Sequence, residues 1–477
     1  MKLRMRTPSA KLLLAAGTVV ALSGCASVNF TDSLSNANAT TNDFTGGQLT
    51  LAKNQSERDA LRQRAAELLS KPLSQKDAVQ LALVNSPSMQ AIVAQNWADA
   101  SSAAQSGRIA NPILSLERVR LGSETEIGRL LSFGLLDLLT LPSRKGLAEG
   151  RMKQTQLRLS SDVVDQVTQV RQAWVRAIAA QQTLGYMQQV VASAQASAEL
   201  AKRMQSVGNF NKLERARQQA FYADTAAQLA SAQHQVTASR EELVRLLGLD
   251  TVQTTQLKLP QRLSPLPSEP LSAEEAGRQA SKGRLDLQIA KAEYDIAARA
   301  QGWNMVSTFT DIELGVRRDT IYDTAENTRA TARGVEISLQ LPIFDWGGMR
   351  RDAMNGQTLA AANRLEATAR SAGSNLRESY STYRTAFEIA RHYRDEVIPL
   401  RKTISEENQL RYNGMLISVF ELLADSRDQV NAVMAALIAE QQFWLADAAL
   451  QASLIGKPTS VGVSGGTAAA ADAGAGH

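Results

Sequence analysis

Cysteine and histidine are the side chains best suited to nucleophilic or metal chemistry near neutral pH. This chain has one cysteine, Cys25, and three histidines, His234, His392 and His477. A lone cysteine makes neither a disulfide framework nor a Cys-based zinc or iron–sulfur cage. Three scattered histidines supply no His-rich metal site and no Ser/His/Asp arrangement, and no Gly-rich phosphate loop accompanies them. His234 and His392 fall within helical stretches, where a lone histidine serves the surface or the packing. The composition points away from an enzyme, with no metal and no diffusible cofactor expected. The one reactive group left to explain is Cys25.

Its surroundings explain it. Lys2, Arg4, Arg6 and Lys11 precede the apolar run Leu12–Leu22, which holds no acidic residue. A basic start, a short apolar stretch and small residues after it make a secretory signal peptide of residues 1–24. The segment ends in Leu22-Ser23-Gly24-Cys25, which resembles the bacterial lipobox, and that resemblance implies that Cys25 becomes the lipidated first residue of the mature chain. Ala26 in place of Asp implies outer-membrane delivery, and several acyl chains together anchor stably. The formal charge of +5 is mostly the signal peptide: without it, 48 basic residues stand against 47 acidic. Nucleic-acid binding loses its support.

The remaining chain is too long for one compact core, and with 5% aromatic residues that core must be built from Ala, Leu and Val. No stretch of about 20 apolar residues follows Cys25, so no transmembrane helix is expected. Prolines are absent between Pro142 and Pro260 and between Pro342 and Pro399, and these gaps are rich in good helix formers. Val163, Val167, Val170, Trp174, Ala177, Gln181 and Leu184 alternate steps of four and three, a heptad seam. A helix from about Ser143 to Ser206 would reach ~95 Å, so such helices must pack side by side as a coiled coil. Ala216, Ala220, Ala223, Ala227 and Ala230 form a small-residue face suited to close packing.

Four prolines at 260, 265, 267 and 270 separate two similar halves. Leu73-Ser74-Gln75-Lys76-Asp77-Ala78 opens the first and Leu271-Ser272-Ala273-Glu274-Glu275-Ala276 the second, each with a Ser N-cap near a capping box. Asn111–Arg120 corresponds to Phe309–Arg317, Leu141-Pro142 to Leu341-Pro342, and Gly208 to Gly414. The organisation read from this is a lipidated N-terminal segment (25–70), repeat 1 (71–260), repeat 2 (261–456) and a disordered Ala/Gly tail (457–477). Each repeat carries two strand-like stretches: Ile113–Leu121 and Ile127–Leu141, then Phe309–Arg317 and Val335–Leu341, with residues 319–333 turn-like between the last two. Alternation over about ten residues is what an outer-membrane barrel uses.

Two repeats of helix, hairpin, long helix, turn and helix, together with Leu341-Pro342-Ile343-Phe344-Asp345-Trp346-Gly347-Gly348-Met349-Arg350, resemble the TolC-type outer-membrane efflux family. So does Val397-Ile398-Pro399 followed by Leu410-Arg411-Tyr412-Asn413-Gly414-Met415-Leu416-Ile417-Ser418. The first half departs from the pattern, with Ala192 where the second has Pro399 and Ser143-Arg144-Lys145-Gly146 in place of Phe-Asp-Trp-Gly. The resemblance covers about residues 70–456. It implies a mainly α fold with a small β part: duplicated long helical hairpins form a periplasmic tunnel, and four strands per chain enter a shared 12-stranded barrel. Four strands cannot close alone, and open edges cannot sit in hydrocarbon.

The family further implies a homotrimer in outer-membrane lipid, a periplasmic adaptor protein, and an inner-membrane pump that powers a passive conduit. Gly208 with Asn209, and Gly414 with Asn413, would be the helix turns at the periplasmic tip where the adaptor docks; glycine is expected there for its left-handed conformations. Glu406, Glu407, Arg411 and Asp425 are the charges that could close the tunnel. Two other classes stay open: a lipid-anchored periplasmic coiled-coil scaffold without a pore, and a hydrolase on a helical frame. The paired strand stretches argue against the first, and the missing nucleophile–His–acid set against the second.

Overall fold

The computed structural model describes residues 30–307, 312–340 and 343–459. The signal peptide, Cys25, the Phe309-Thr310-Asp311 start of the third strand stretch, Leu341-Pro342 and residues 460–477 of the tail lie outside the described residues.

The chain opens with four helices, α1 (Phe30–Thr45), α2 (Gln55–Leu69), α3 (Gln75–Asn85) and α4 (Pro87–Gln105). Strands β1 (Ile113–Leu121) and β2 (Glu124–Gly134) follow, then a short helix α5 (Leu135–Leu139), the 66-residue α6 (Leu141–Ser206), α7 (Lys212–Leu247) and α8 (Thr251–Gln256). The second half repeats this order as α9 (Ala273–Ala280), α10 (Leu285–Ser307), β3 (Ile312–Asp323), β4 (Thr328–Leu339), α11 (Gly348–His392), a π turn (Tyr393–Val397), α12 (Ile398–Asn413) and α13 (Val419–Ile455). The residues fall into two compact units, each drawing on both halves: one holds Gln95–Arg158 and Ile289–Ala367, the other Leu34–Ala94, Leu159–Gln288 and the chain from Thr368.

In the second unit the two halves make equivalent contacts. Ser74 accepts the Asp77 amide at 3.1 Å and Ser272 accepts that of Glu275 at 3.2 Å, so both predicted N-caps form. An aromatic residue on the following long helix then grips the leucine before each cap. Trp174 Nε1 donates to the Leu73 carbonyl at 2.8 Å. Tyr380 Oη donates to the Leu271 carbonyl, and Tyr383 Oη accepts the Leu271 amide, both at 3.1 Å. Gly248 and Gly456 close α7 and α13 at φ 64° and 91°. Each lies against the start of its own repeat: a Cβ on Gly248 would stand 2.3 Å from Pro87 Cδ, and one on Gly456 2.9 Å from the Leu285 nitrogen.

Of the heptad seam, Val163, Val167, Val170, Trp174 and Ala177 are buried, whereas Gln181 is exposed. Around the second aromatic anchor, Phe387 meets Phe443 edge-on at 5.7 Å in a core with Ala386, Leu450 and Leu454. The expected Ala216–Ala230 stripe is exposed instead. On α7 the buried face is Gln218, Thr225, Ala232 and Ser239, spaced by seven. Small polar residues serve there because their hydroxyls bond back to their own helix, Thr225 to the Tyr222 carbonyl at 3.0 Å and Ser239 to that of Gln235 at 2.7 Å. The two long helical arms also differ: Pro399, which has no N–H to donate, follows the π turn, while α6 runs unbroken through Ala192.

Candidate functional site

Three of the four strands differ in extent from the sequence reading. β1 spans Ile113–Leu121 as expected, but β2 stops at Gly134 and the apolar Leu135–Leu139 turns as a helix. Here Thr140 Oγ1 and its amide both bond to the Leu136 carbonyl, closing the turn before α6. Residues 319–333 are no loop. β3 continues to Asp323 and β4 begins at Thr328, so only residues 324–327 turn, with Asn327 at φ 51°. Asp323 closes that turn by accepting the Ala325 amide at 2.8 Å, and Thr324 ties it to the Ser123 carbonyl of the other hairpin.

The strands form one antiparallel sheet in the order β1-β2-β3-β4, with both edges unpaired among the described residues. Since directly opposed residues share a face, the register sorts the side chains. One face carries Glu117, Gly128, Asp319 and Ala332 in a single row, and with Gly128, Ser132, Gly315 and Asp319 buried on it against Thr320 on the other it is the more enclosed, concave side. It holds seven carboxylates and one arginine, Arg317, which pairs with Asp319 at 2.7 Å. The opposite face holds six arginines and no carboxylate. At its helix-proximal end Leu114, Leu131, Val316 and Val335 form one row, followed by Phe133, Leu314 and Ile337. These apolar side chains are largely exposed, Val316 at 57% and Val335 at 72%. A wet concave side and an apolar convex side are what a barrel wall in lipid requires. No described helix is long and apolar enough to cross a membrane.

The helix turns lie in the second unit. After α6, Gly208 takes φ 84°, and the amides of Asn209 and Phe210 return to the Met204 carbonyl at 2.9 and 3.2 Å. Asn211 then caps α7 in a full capping box with Glu214. The second turn has the same plan with one change: Gly414 has φ −81°, and Met415 takes the left-handed conformation at φ 56°. The Leu416 amide returns to the Arg411 carbonyl at 2.8 Å, and Ser418 caps α13 with Glu421. The equivalent of Gly208 is therefore Met415, and the expectation that Gly414 supplies the left-handed bend is corrected. At φ 56° Met415 sits in the small left-handed region open to non-glycine residues, and its side chain is 93% exposed.

The charged residues singled out near this turn do not meet within one chain. Glu406 stands 3.9 Å from Lys402, and Glu407 and Arg411 are exposed. Asp425 is buried, with Oδ2 lacking a hydrogen-bond partner. What joins the two helical hairpins instead is aromatic. Phe210 lies 4.7 Å from Phe420, and the Arg427 guanidinium sits 4.5 Å over Phe221 while donating to Gln218 Oε1 at 3.1 Å. Sequence reasoning missed both pairs; a Phe two residues past Gly208 and another two past Ser418 were the available signal. Among the described residues no cluster could hold a metal ion. The most displaced acid is Asp447, which burial pushes up to about 6 against the pull of Arg171, a packing pair rather than a site.

No protein-family model and no curated protein matches the chain. Solved structures do. The outer membrane protein VceC of Vibrio cholerae superposes with a TM-score of 0.66 over 83% of this chain and 96% of its own, at 14% identity. The MtrE outer membrane channel of Neisseria gonorrhoeae gives 0.63 over 83% and 91%, at 17% identity. The CmeC outer membrane channel of Campylobacter jejuni gives 0.62 over 86% and 89%, at 14% identity. With its two helical hairpins and its open, two-sided four-stranded sheet, the chain has the TolC-type outer-membrane channel fold.

Proposed function

We propose that this chain is the outer-membrane channel of a tripartite efflux system, a passive conduit through which an inner-membrane pump and a periplasmic adaptor discharge their cargo. The sheet carries the proposal. Its apolar convex face needs lipid, and its two unpaired edges must be closed by other copies, because no open edge survives in hydrocarbon. Three copies of four strands give a twelve-stranded barrel, in the size range of such proteins. The long helices would then extend into the periplasm, with the turns around Gly208 and Met415 as the docking end. Glu407 and Arg411, exposed and without an ion pair among the described residues, would bond across subunits there and close the conduit.

The test is single-channel recording with detergent-purified protein. The parent is expected to give small conductance steps and a crosslinked species of three chain masses. Arg411→Ala combined with Glu407→Ala is expected to raise the conductance severalfold at unchanged trimer yield. A parent that gives no conductance steps and only monomer on crosslinking has no pore, which leaves the periplasmic scaffold. Conductance equal to the parent in the variant would place the gate elsewhere.

Cys25 is proposed as the lipidated first residue of the mature chain, from its place after Leu22-Ser23-Gly24. Cys25→Ser is expected to abolish radiolabelled palmitate incorporation, while the barrel keeps the protein in the membrane fraction. Palmitate labelling at the parent level would refute the assignment.

A further inference from the structure

The convex face of the sheet changes character along its length. Towards the helices it is apolar; towards the turns it is basic. The boundary is one row in which Arg129, Arg318 and Arg333 stand directly opposite one another on three adjacent strands. Arg118 lies one row further out on β1, and Arg120 and Arg329 occupy the last row but one before the turns. All six are exposed. Among the described residues none of the six has a carboxylate within ion-pair distance: Arg129 Nη1 donates to Thr320 Oγ1 at 3.2 Å, and Arg329 lies 5.4 Å over the Tyr322 ring.

Like charges directly opposed across strands destabilise a sheet, by up to about 1 kcal/mol per pair. Seven carboxylates lie within the same four strands, yet all occupy the other face. The row therefore concentrates positive charge where the sheet supplies no counter-charge, which leaves it open to an anion from outside. Position selects which anion. From Ile312 to Arg318 the strand rises about 20 Å, which at a barrel strand's tilt of about 35–45° spans about 15 Å of the ~25 Å height of an outer-membrane apolar band. The guanidinium row ends the apolar stretch of this face and so marks the outer edge of the hydrocarbon, and four residues further out on β3 stands Tyr322, an aromatic side chain of the kind that marks membrane interfaces. Guanidinium forks match phosphate oxygens in pairs.

We propose that Arg129, Arg318 and Arg333, flanked by Arg118, bind the phosphate headgroups of outer-leaflet lipid, with the acyl chains lying against Leu131, Val316 and Val335. This rests on the reading of the sheet as a barrel wall with its turns outward. The ligand is amphiphilic: its phosphates meet the arginines and its chains meet the apolar rows directly beneath them.

The experiment uses the full chain purified in nonionic detergent, with diphosphoryl lipid A added to the micelles and the thermal dissociation of the trimer as readout. Dephosphorylated lipid A and inorganic phosphate serve as comparison probes. A ligand that binds only the folded assembly raises its melting temperature. The parent is expected to be stabilised by diphosphoryl lipid A and by neither comparison probe. Arg129→Gln, Arg318→Gln and Arg333→Gln together are expected to weaken the apparent affinity about tenfold or more, with trimer yield and conductance retained. Arg318→Gln alone, at the centre of the row, should show a smaller loss of the same kind should the triple variant not assemble. Arg317→Gln, on the concave face, should respond as the parent does. An unchanged response in an Arg318 or triple variant that still conducts would overturn the headgroup site while leaving the channel intact. Equal stabilisation by inorganic phosphate would overturn the lipid assignment. A parent without trimer or conductance would overturn the barrel reading, and this inference with it.

Discussion

Val316→Lys is expected to deplete the outer membrane of heat-resistant trimer. Val316 sits in the row Leu114, Leu131, Val316 and Val335 on the convex face, and 57% of it is exposed. In lipid that exposure becomes contact with acyl chains. A lysine on the lipid face of an outer-membrane barrel wall costs up to about 2–4 kcal/mol, less towards the interface, and the proposed trimer repeats the substitution three times. Glu336→Lys, one residue along on β4 beyond Val335 and on the concave face, places the same lysine in water and should leave the trimer in place. The measurement is the fraction of protein migrating as trimer on unheated gels of outer-membrane preparations. Full trimer in the Val316 variant would mean that this face does not meet lipid.

Gly248→Val is expected to be the most damaging change at any helix turn. Gly248 ends α7 at φ 64°, where a β-branched residue is strained by about 1–3 kcal/mol. The new Cβ would also lie 2.3 Å from Pro87 Cδ and 2.8 Å from Ser86 Cα, so the start of α4 would have to move. Together these should cost about 3–5 kcal/mol, the range reached by strain combined with overpacking. Gly414→Val is the comparison. Its φ is −81° and its nearest neighbour would be a carbonyl oxygen at 3.5 Å, so little change is expected. Thermal unfolding followed by far-ultraviolet circular dichroism separates the two. Equal melting temperatures would show that the α7 end is not fixed as the structure has it.

The contrast between these glycines shows what the sequence made legible. Proline-free gaps rich in Ala, Leu and Gln gave the long helices, because that signal is local, and the match to the alternating stretch of the second half gave β1 to the residue. Leu135–Leu139 misled because a short apolar run fits strand and helix equally well; the Thr140 bonds that decide it are a matter of closure, not of hydropathy. Residues 319–323 and 328–333 passed for loop because their charged and hydroxylic side chains hide the strand period. Only the register against β2 shows the arginines on one side and the acids on the other. The buried face of α7 was invisible for a similar reason, since Gln218, Thr225 and Ser239 carry no apolar signal. At the second helix turn, composition favoured Gly414, while the return bond from Leu416 to Arg411 fixes the bend at Met415. The gate candidates were legible as charges but not as a constellation, because within one chain they do not touch.

The contact between the start and end of each repeat also governs when the protein can fold. Asn85 Nδ2 donates to the carbonyls of Leu247 and Gly248 across 162 and 163 residues of sequence, and Gly456 closes on Arg284 and Leu285 in the second repeat. Contacts so far apart in the chain form late and slowly, because the intervening segment must first be present and then be brought together at an entropic cost. At synthesis rates of about 5–20 residues per second, the first repeat waits roughly 10–30 s before its closing helix exists. Throughout that interval Leu81, Leu83 and Val84 of α3 lack the α7 end that their helix packs beside. Until the later segment arrives, the apolar side chains of α3 have no native cover from α7.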